Sequence, residues 1–110
     1  MKKMKKLLFM TLITFNSFGQ INYLVINEVM VSNDTALVDE YGEFDDWIEI
    51  YNNGNNSINL FGYHLSDDEA ELEKYSFPSI DLNPDEYLII WADDGYDKQG
   101  VFHANFKMSS

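Results

Sequence analysis

The chain has 110 residues, with 19 Asp and Glu against 7 Lys, two His, no Cys and a formal charge of -12. A surface this anionic repels phosphate, which argues against nucleic-acid binding and against unassisted docking on anionic lipid, and the missing cysteines exclude disulfides and thiolate metal sites. With 45% hydrophobic and 15% aromatic residues the sequence can still build a core, so wholesale disorder is excluded as well.

Residues 1–19 read as an export signal rather than as part of a fold. Lys2, Lys3, Lys5 and Lys6 form a cationic start, residues 7–15 an apolar stretch, and Ser17, Phe18 and Gly19 lead up to a cleavage point before Gln20. The apolar stretch falls far short of the roughly 20 residues a membrane span needs, so the mature chain is expected to carry no transmembrane segment. Residues 20–110 keep only three lysines beside all the acids, and are expected to be secreted or held at the cell surface. Residues 20–23 are a short lead, and 24–110 one small domain held by its core alone.

Strand signals follow in order. Residues 23–31 are rich in β-branched and aliphatic side chains, interrupted by Asn27 and Glu28. Residues 32–45 are polar and long for a connection, which often marks a functional or partly mobile segment. In 47–52, Trp47, Glu49 and Tyr51 alternate with Ile48 and Ile50. Asn53, Gly54, Asn55 and Asn56 then tolerate a tight reversal. Residues 58–60 and 63–65 are short strands with a bend at Gly62. An acidic loop, 67–73, precedes a strand at 74–77 that Pro78 ends. Residues 83–86 fit a type I turn with Pro84 second, feeding the apolar run 87–92. After a further acidic loop, 93–100, residues 101–108 hold one more strand. Short strands without a long helix predict an all-β sandwich.

The ordered blocks Ile26-Asn27-Glu28, 46–52, Gly62-Tyr63-His64-Leu65-Ser66-Asp67, Phe77-Pro78, Ile90-Trp91-Ala92-Asp93 and His103-Ala104-Asn105-Phe106 resemble the lamin tail domain of the bacterial secreted type. The resemblance implies an immunoglobulin-like β-sandwich over 24–110. It also implies that the closing strands which follow this block in relatives are lacking, as in a fragment of a longer protein. An unfinished sheet would leave backbone groups open to strand addition. The function implied is a non-enzymatic module for binding, attachment or scaffolding, with a protein or cell-surface polymer as partner. The alternatives are an accessory piece of a larger secreted hydrolase of nuclease or phosphoesterase type, and a calcium-stabilised adhesion module. The basic surface that lets a nuclear lamin tail approach DNA is absent here.

Chemistry-bearing residues are scarce. The acidic loops read first as a solvated rim that keeps the domain soluble. If they hold calcium, which takes several oxygens in flexible geometry, the candidates are Glu28, Asp39, Asp46, Asp93, Asp94 and Asp97. Glu28, Asp39, Asp46 and Glu49 could converge should the 32–45 loop fold back. Otherwise no cofactor is expected. His64 and His103 lack zinc-site spacing and read as ordinary histidines. Ser66 and Ser76 lack the strained turn of a catalytic serine. Trp47 and Trp91 are expected to fill the space between the sheets, whereas Tyr23, Tyr41 and Tyr96 are better placed to meet a partner.

Overall fold

The structure is a computed structural model that describes residues 9–12, 23–31, 33–95 and 102–108. Every regular element among them is a strand: β1 (Phe9–Leu12), β2 (Leu24–Met30), β3 (Asp46–Asn52), β4 (Ile58–Asn59), β5 (Tyr63–Ser66), β6 (Tyr75–Ser76), β7 (Asp81–Leu82), β8 (Tyr87–Ala92) and β9 (His103–Ala104). One sheet has the order β2-β3-β8-β9, antiparallel except for the parallel pair β8-β9; β1-β5-β6 and β4-β7 form the others. Among these residues no helix is long and apolar enough to cross a membrane.

Alternation explains the core. Ile48 and Ile50 of β3 face the same side as their cross-strand neighbours Ile90 and Leu88 of β8. Leu24, Ala92 and Ala104 extend that surface, and Tyr63, Leu65, Tyr75, Phe77 and Leu82 meet it from the other strands, with Leu60, Phe106 and Met108 closing the cluster. This is a two-layer sandwich with a contiguous apolar interior. A large aliphatic side chain moved from water to such an interior contributes about 1.5–3 kcal/mol, so the cluster suffices without covalent staples.

Trp47 and Trp91 are buried, at 4% and 9% exposure, but they do not lie between the sheets. They are cross-strand partners, one residue out of phase with Ile48 and Ile90, and so project from the sheet's opposite face. The expectation that they fill the inter-sheet space is thereby corrected: the side chain period is two, and Ile48, Ile50 and Ile90 had already taken the inner positions. Tyr51 and Tyr87 share the outer face and stack at 4.4 Å.

Two turns are set by backbone sign. Gly62 has φ 92 and follows a Tyr63 N-H to Leu60 carbonyl bond, which is the bend anticipated there. In the 83–86 turn Glu86 N-H donates to the Asn83 carbonyl, but Asp85 sits at φ 66. Positive φ at the third position after Pro84 makes this type II rather than type I. Asp85 is held there by two bonds: its own N-H donates to the Asn52 carbonyl, and its carboxylate accepts from the Tyr51 hydroxyl at 2.8 Å.

β1 was not anticipated as a fold element, because its residues lie inside the segment that reads as an export signal. Phe9 to Leu12 pair antiparallel along β5, Phe9 opposite Ser66 and Leu12 opposite Tyr63. They occupy one edge of β5, while β6 occupies the other.

Candidate functional site: an acidic loop locked to a buried histidine

The 33–45 loop is built on two polar side chains. Asn33, 7% exposed, donates from Nδ2 to the carbonyls of Leu37 at 2.7 Å and Asp45 at 3.0 Å, while its Oδ1 accepts from Ala36 N-H. One amide therefore closes both ends of the loop. Asp39 organises the tip: its Oδ1 accepts from the N-H groups of Tyr41 at 2.8 Å and Glu43 at 2.9 Å, the local side-chain-to-backbone pattern that Asp favours. Its backbone N-H donates to the Glu43 carbonyl and its carbonyl accepts from Gly42 N-H.

Gly42 has φ 79, and a Cβ built on it would meet nothing within 4 Å. Gly42→Ala therefore isolates backbone strain from crowding. A loss of about 1–2 kcal/mol is expected by denaturant unfolding, the cost of placing an L side chain in the left-handed region. A neutral result would show that the knot relaxes.

The loop folds back onto the outer face of the β2-β3-β8-β9 sheet. His103, 1% exposed, is the anchor. It stacks near Trp91 at 6.5 Å between centroids, and Tyr41 meets it edge-on at 5.9 Å. Nδ1 lies 2.6 Å from Asp93 Oδ2 and Nε2 lies 2.8 Å from Glu40 Oε1. An ionised carboxylate only accepts, so a carboxylate at each ring nitrogen favours the form in which both nitrogens donate, the imidazolium. Burial pulls the pKa of His103 down, but the bonds to Asp93 and Glu40 outweigh it and raise it above the ordinary histidine value. Glu40 is correspondingly lowered, through its own backbone N-H and then through His103.

Beside this clamp, Asp39, Glu43 and Asp45 each bring a carboxylate oxygen within 4.8 Å of the others. Asp39 is 6% exposed, and its second oxygen, Oδ2, is buried without a hydrogen-bond partner, as is Oδ2 of Asp45. Burial raises the pKa of Asp45, and the fields of Asp93, Glu43 and Asp39 raise it further; the field of Lys107 acts the other way and is outweighed. Asp39, Glu40 and His103 form a second such group, but both nitrogens of His103 are already engaged.

Of the calcium candidates, the structure brings Asp39 into this cluster and Asp93 to its neighbour His103. Asp46 is buried at the loop's base and accepts from Asn33 N-H at 3.4 Å. Glu28 is exposed on β2, opposite Glu49, whose carboxylate accepts from Asn27. Asp94 is exposed with φ 60, and Asp97 lies outside the described residues. The fold-back therefore occurs without gathering Glu28, Asp46 and Glu49 around Asp39. Glu40 and Glu43 were not singled out, Asp45 was read only as part of an acidic rim, and His103 as an ordinary histidine rather than an anchor. The signal for the acids was there, in four carboxylates at 39, 40, 43 and 45 around a glycine. Nothing local marked His103.

The remaining candidates have structural partners. Asp67 pairs with Lys74 at 3.0 Å, and the Ser66 hydroxyl ties the 66–71 turn through the carbonyls of Asp68 and Glu71. His64 Nδ1 is 3.0 Å from the Ser76 hydroxyl, as expected of cross-strand partners. Glu73, which would have to orient that ring in a triad, is 67% exposed at 3.6 Å and makes no hydrogen bond to it. Tyr23 and Tyr41 are exposed, at 42% and 56%; Tyr96 lies outside the described residues.

An all-strand two-layer sandwich with its polar machinery turned inward onto its own loops defines an immunoglobulin-like module. The family model of the lamin tail domain matches residues 19–110, and the chain belongs to that family. Comparison with the curated proteins and with the solved structures gave no match.

Proposed function

We propose that this lamin tail domain is a secreted or cell-surface attachment module without catalytic activity, released from residues 1–19, which frees the edge of β5 that Phe9–Leu12 pair with, and meeting a protein or cell-surface polymer through its 33–45 loop. The observation that carries this reading is the loop's outer surface. Leu37, Val38, Tyr41 and Phe44 are 44%, 48%, 56% and 47% exposed, although the loop's backbone is pinned by Asn33 and Asp39. Four exposed apolar side chains on one hydrogen-bonded loop are a contact surface in waiting. Their placement among carboxylates favours a neutral or basic partner and disfavours phosphate polymers.

The test uses fluorescently labelled protein on intact cells of the producing strain. Saturable binding is expected, weakened at least tenfold in the Val38→Ser, Phe44→Ser double variant with an unchanged melting temperature. Equal binding by the variant, or turnover of phosphodiester or glycoside substrates by the purified chain, would overturn the reading. The secreted form is expected to begin at Gln20 by mass spectrometry.

A further inference from the structure

We propose that Asp39, Glu43 and Asp45 form a calcium site that holds the 33–45 loop to the sandwich. Three observations converge. The three carboxylates bring oxygens within 4.8 Å of one another, a spacing that a single ion can bridge. Asp39 is more than nine-tenths buried, and its Oδ2 has no hydrogen-bond partner, although its Oδ1 accepts two backbone N-H groups. Buried polar atoms are nearly always satisfied, and a carboxylate oxygen left over in a pinned loop points to a ligand that completes it. Oδ2 of Asp45, on the half-buried third member, is likewise buried without a hydrogen-bond partner.

The donor chemistry selects the ion. All three donors are carboxylate oxygens, which suit a hard cation and not a metal that seeks nitrogen or sulfur. His103 could have made the site softer, but Asp93 and Glu40 hold both of its nitrogens. The donors lie at positions 39, 43 and 45 of one loop, and water can complete the irregular coordination that calcium permits. Magnesium, which demands a tighter octahedron and keeps its waters, fits less well. The site stands whether or not the loop meets a partner, and its test reads stability rather than attachment.

Extracellular modules bind calcium with dissociation constants of about 0.1–1 mM. At 10 mM calcium chloride and a dissociation constant of about 1 mM, the folding equilibrium shifts about elevenfold toward the native state, which is roughly 5–10 °C in melting temperature. The experiment melts the full chain in chelator, in 10 mM calcium chloride, in 10 mM magnesium chloride and in sodium chloride of equal ionic strength. The rise is expected in calcium and not in the other salts. Asp45→Asn should melt at or above the wild type in chelator, because the repelled charge is gone, and should not respond to calcium; Glu28→Gln should respond in full. Terbium luminescence excited through the nearby aromatic rings, and displaced by calcium, reads the same site without melting. No rise in calcium, an equal rise in magnesium, or an undiminished response of Asp45→Asn overturns the proposal.

Discussion

In His103→Leu the domain is expected to lose about 3–5 kcal/mol of stability, measured by urea denaturation in chelator, because the change strands a buried carboxylate. Asp93 presents a side chain only 3% exposed to the ring, and Glu40 closes the other side. Leucine fills much the same volume but donates nothing, so the buried Asp93 Oδ2 loses its partner and only the Gly95 N-H on Oδ1 remains. His103→Gln, which keeps a donor, should recover part of the loss. The loop should loosen too, since Tyr41 and Glu40 reach the sheet through this ring. The wild type carries a matching pH dependence. The folded pKa of His103 is raised, so the clamp's contribution is complete below about pH 6.5, the unfolded value, and is lost as pH rises through the folded value above it. Glu40, with a lowered pKa, works in the other direction, and its contribution is lost as pH falls below the usual carboxylate range. Stability of the wild type should therefore decline on the alkaline side while that of His103→Leu does not. A parallel decline in both would remove His103 as its cause.

How much of this was legible in the residues depended on the range of the forces involved. β3 and β8 were readable because alternation is local and both strands carry their full pattern. Gly62 and Pro78 likewise announced a bend and a strand end by their own backbone chemistry. Which face Trp47 and Trp91 occupy was a matter of phase, and it was misjudged because an aromatic in a strand looks like core until a loop is known to cover the other side. β7, two residues long, has too little sequence to show a period. β1 was hidden by composition, since an apolar stretch after lysines serves export and strand pairing equally. The acids of the 33–45 loop were visible as a cluster, but their arrangement is set by Asn33, Asp39 and the positive φ of Gly42, three turn-formers whose joint geometry no spacing rule supplies. His103 was the least legible, because its partners lie 10 and 63 residues away.

Asn52 is the other side chain on which the architecture turns, and its replacement separates hydrogen bonding from packing. It is fully buried at the end of β3, where the chain leaves the four-stranded sheet. Nδ2 donates to the carbonyls of Asn56 and Leu82, each at 2.8 Å, and Oδ1 accepts from Gly54 N-H at 2.9 Å. One amide thus shapes the 53–57 turn and ties it to β7. Asn52→Ala removes the side-chain donor to the Asn56 and Leu82 carbonyls and the acceptor of Gly54 N-H, and opens a cavity; a loss of about 3–4 kcal/mol is expected, since a buried polar group left unsatisfied costs about 1–3 kcal/mol. Asn52→Asp has nearly the same shape but aims an acceptor at two carbonyl oxygens. Its folded pKa must rise above the unfolded value of about 3.9, so its penalty is smallest near pH 4 and grows as pH rises toward neutrality. Urea midpoints at pH 4 and pH 7 should accordingly diverge for Asn52→Asp far more than for the wild type or Asn52→Ala. If Asn52→Asp were as stable as the wild type at pH 7, the amide would be a filler of space, and the turn would owe its shape to Gly54 and the backbone alone.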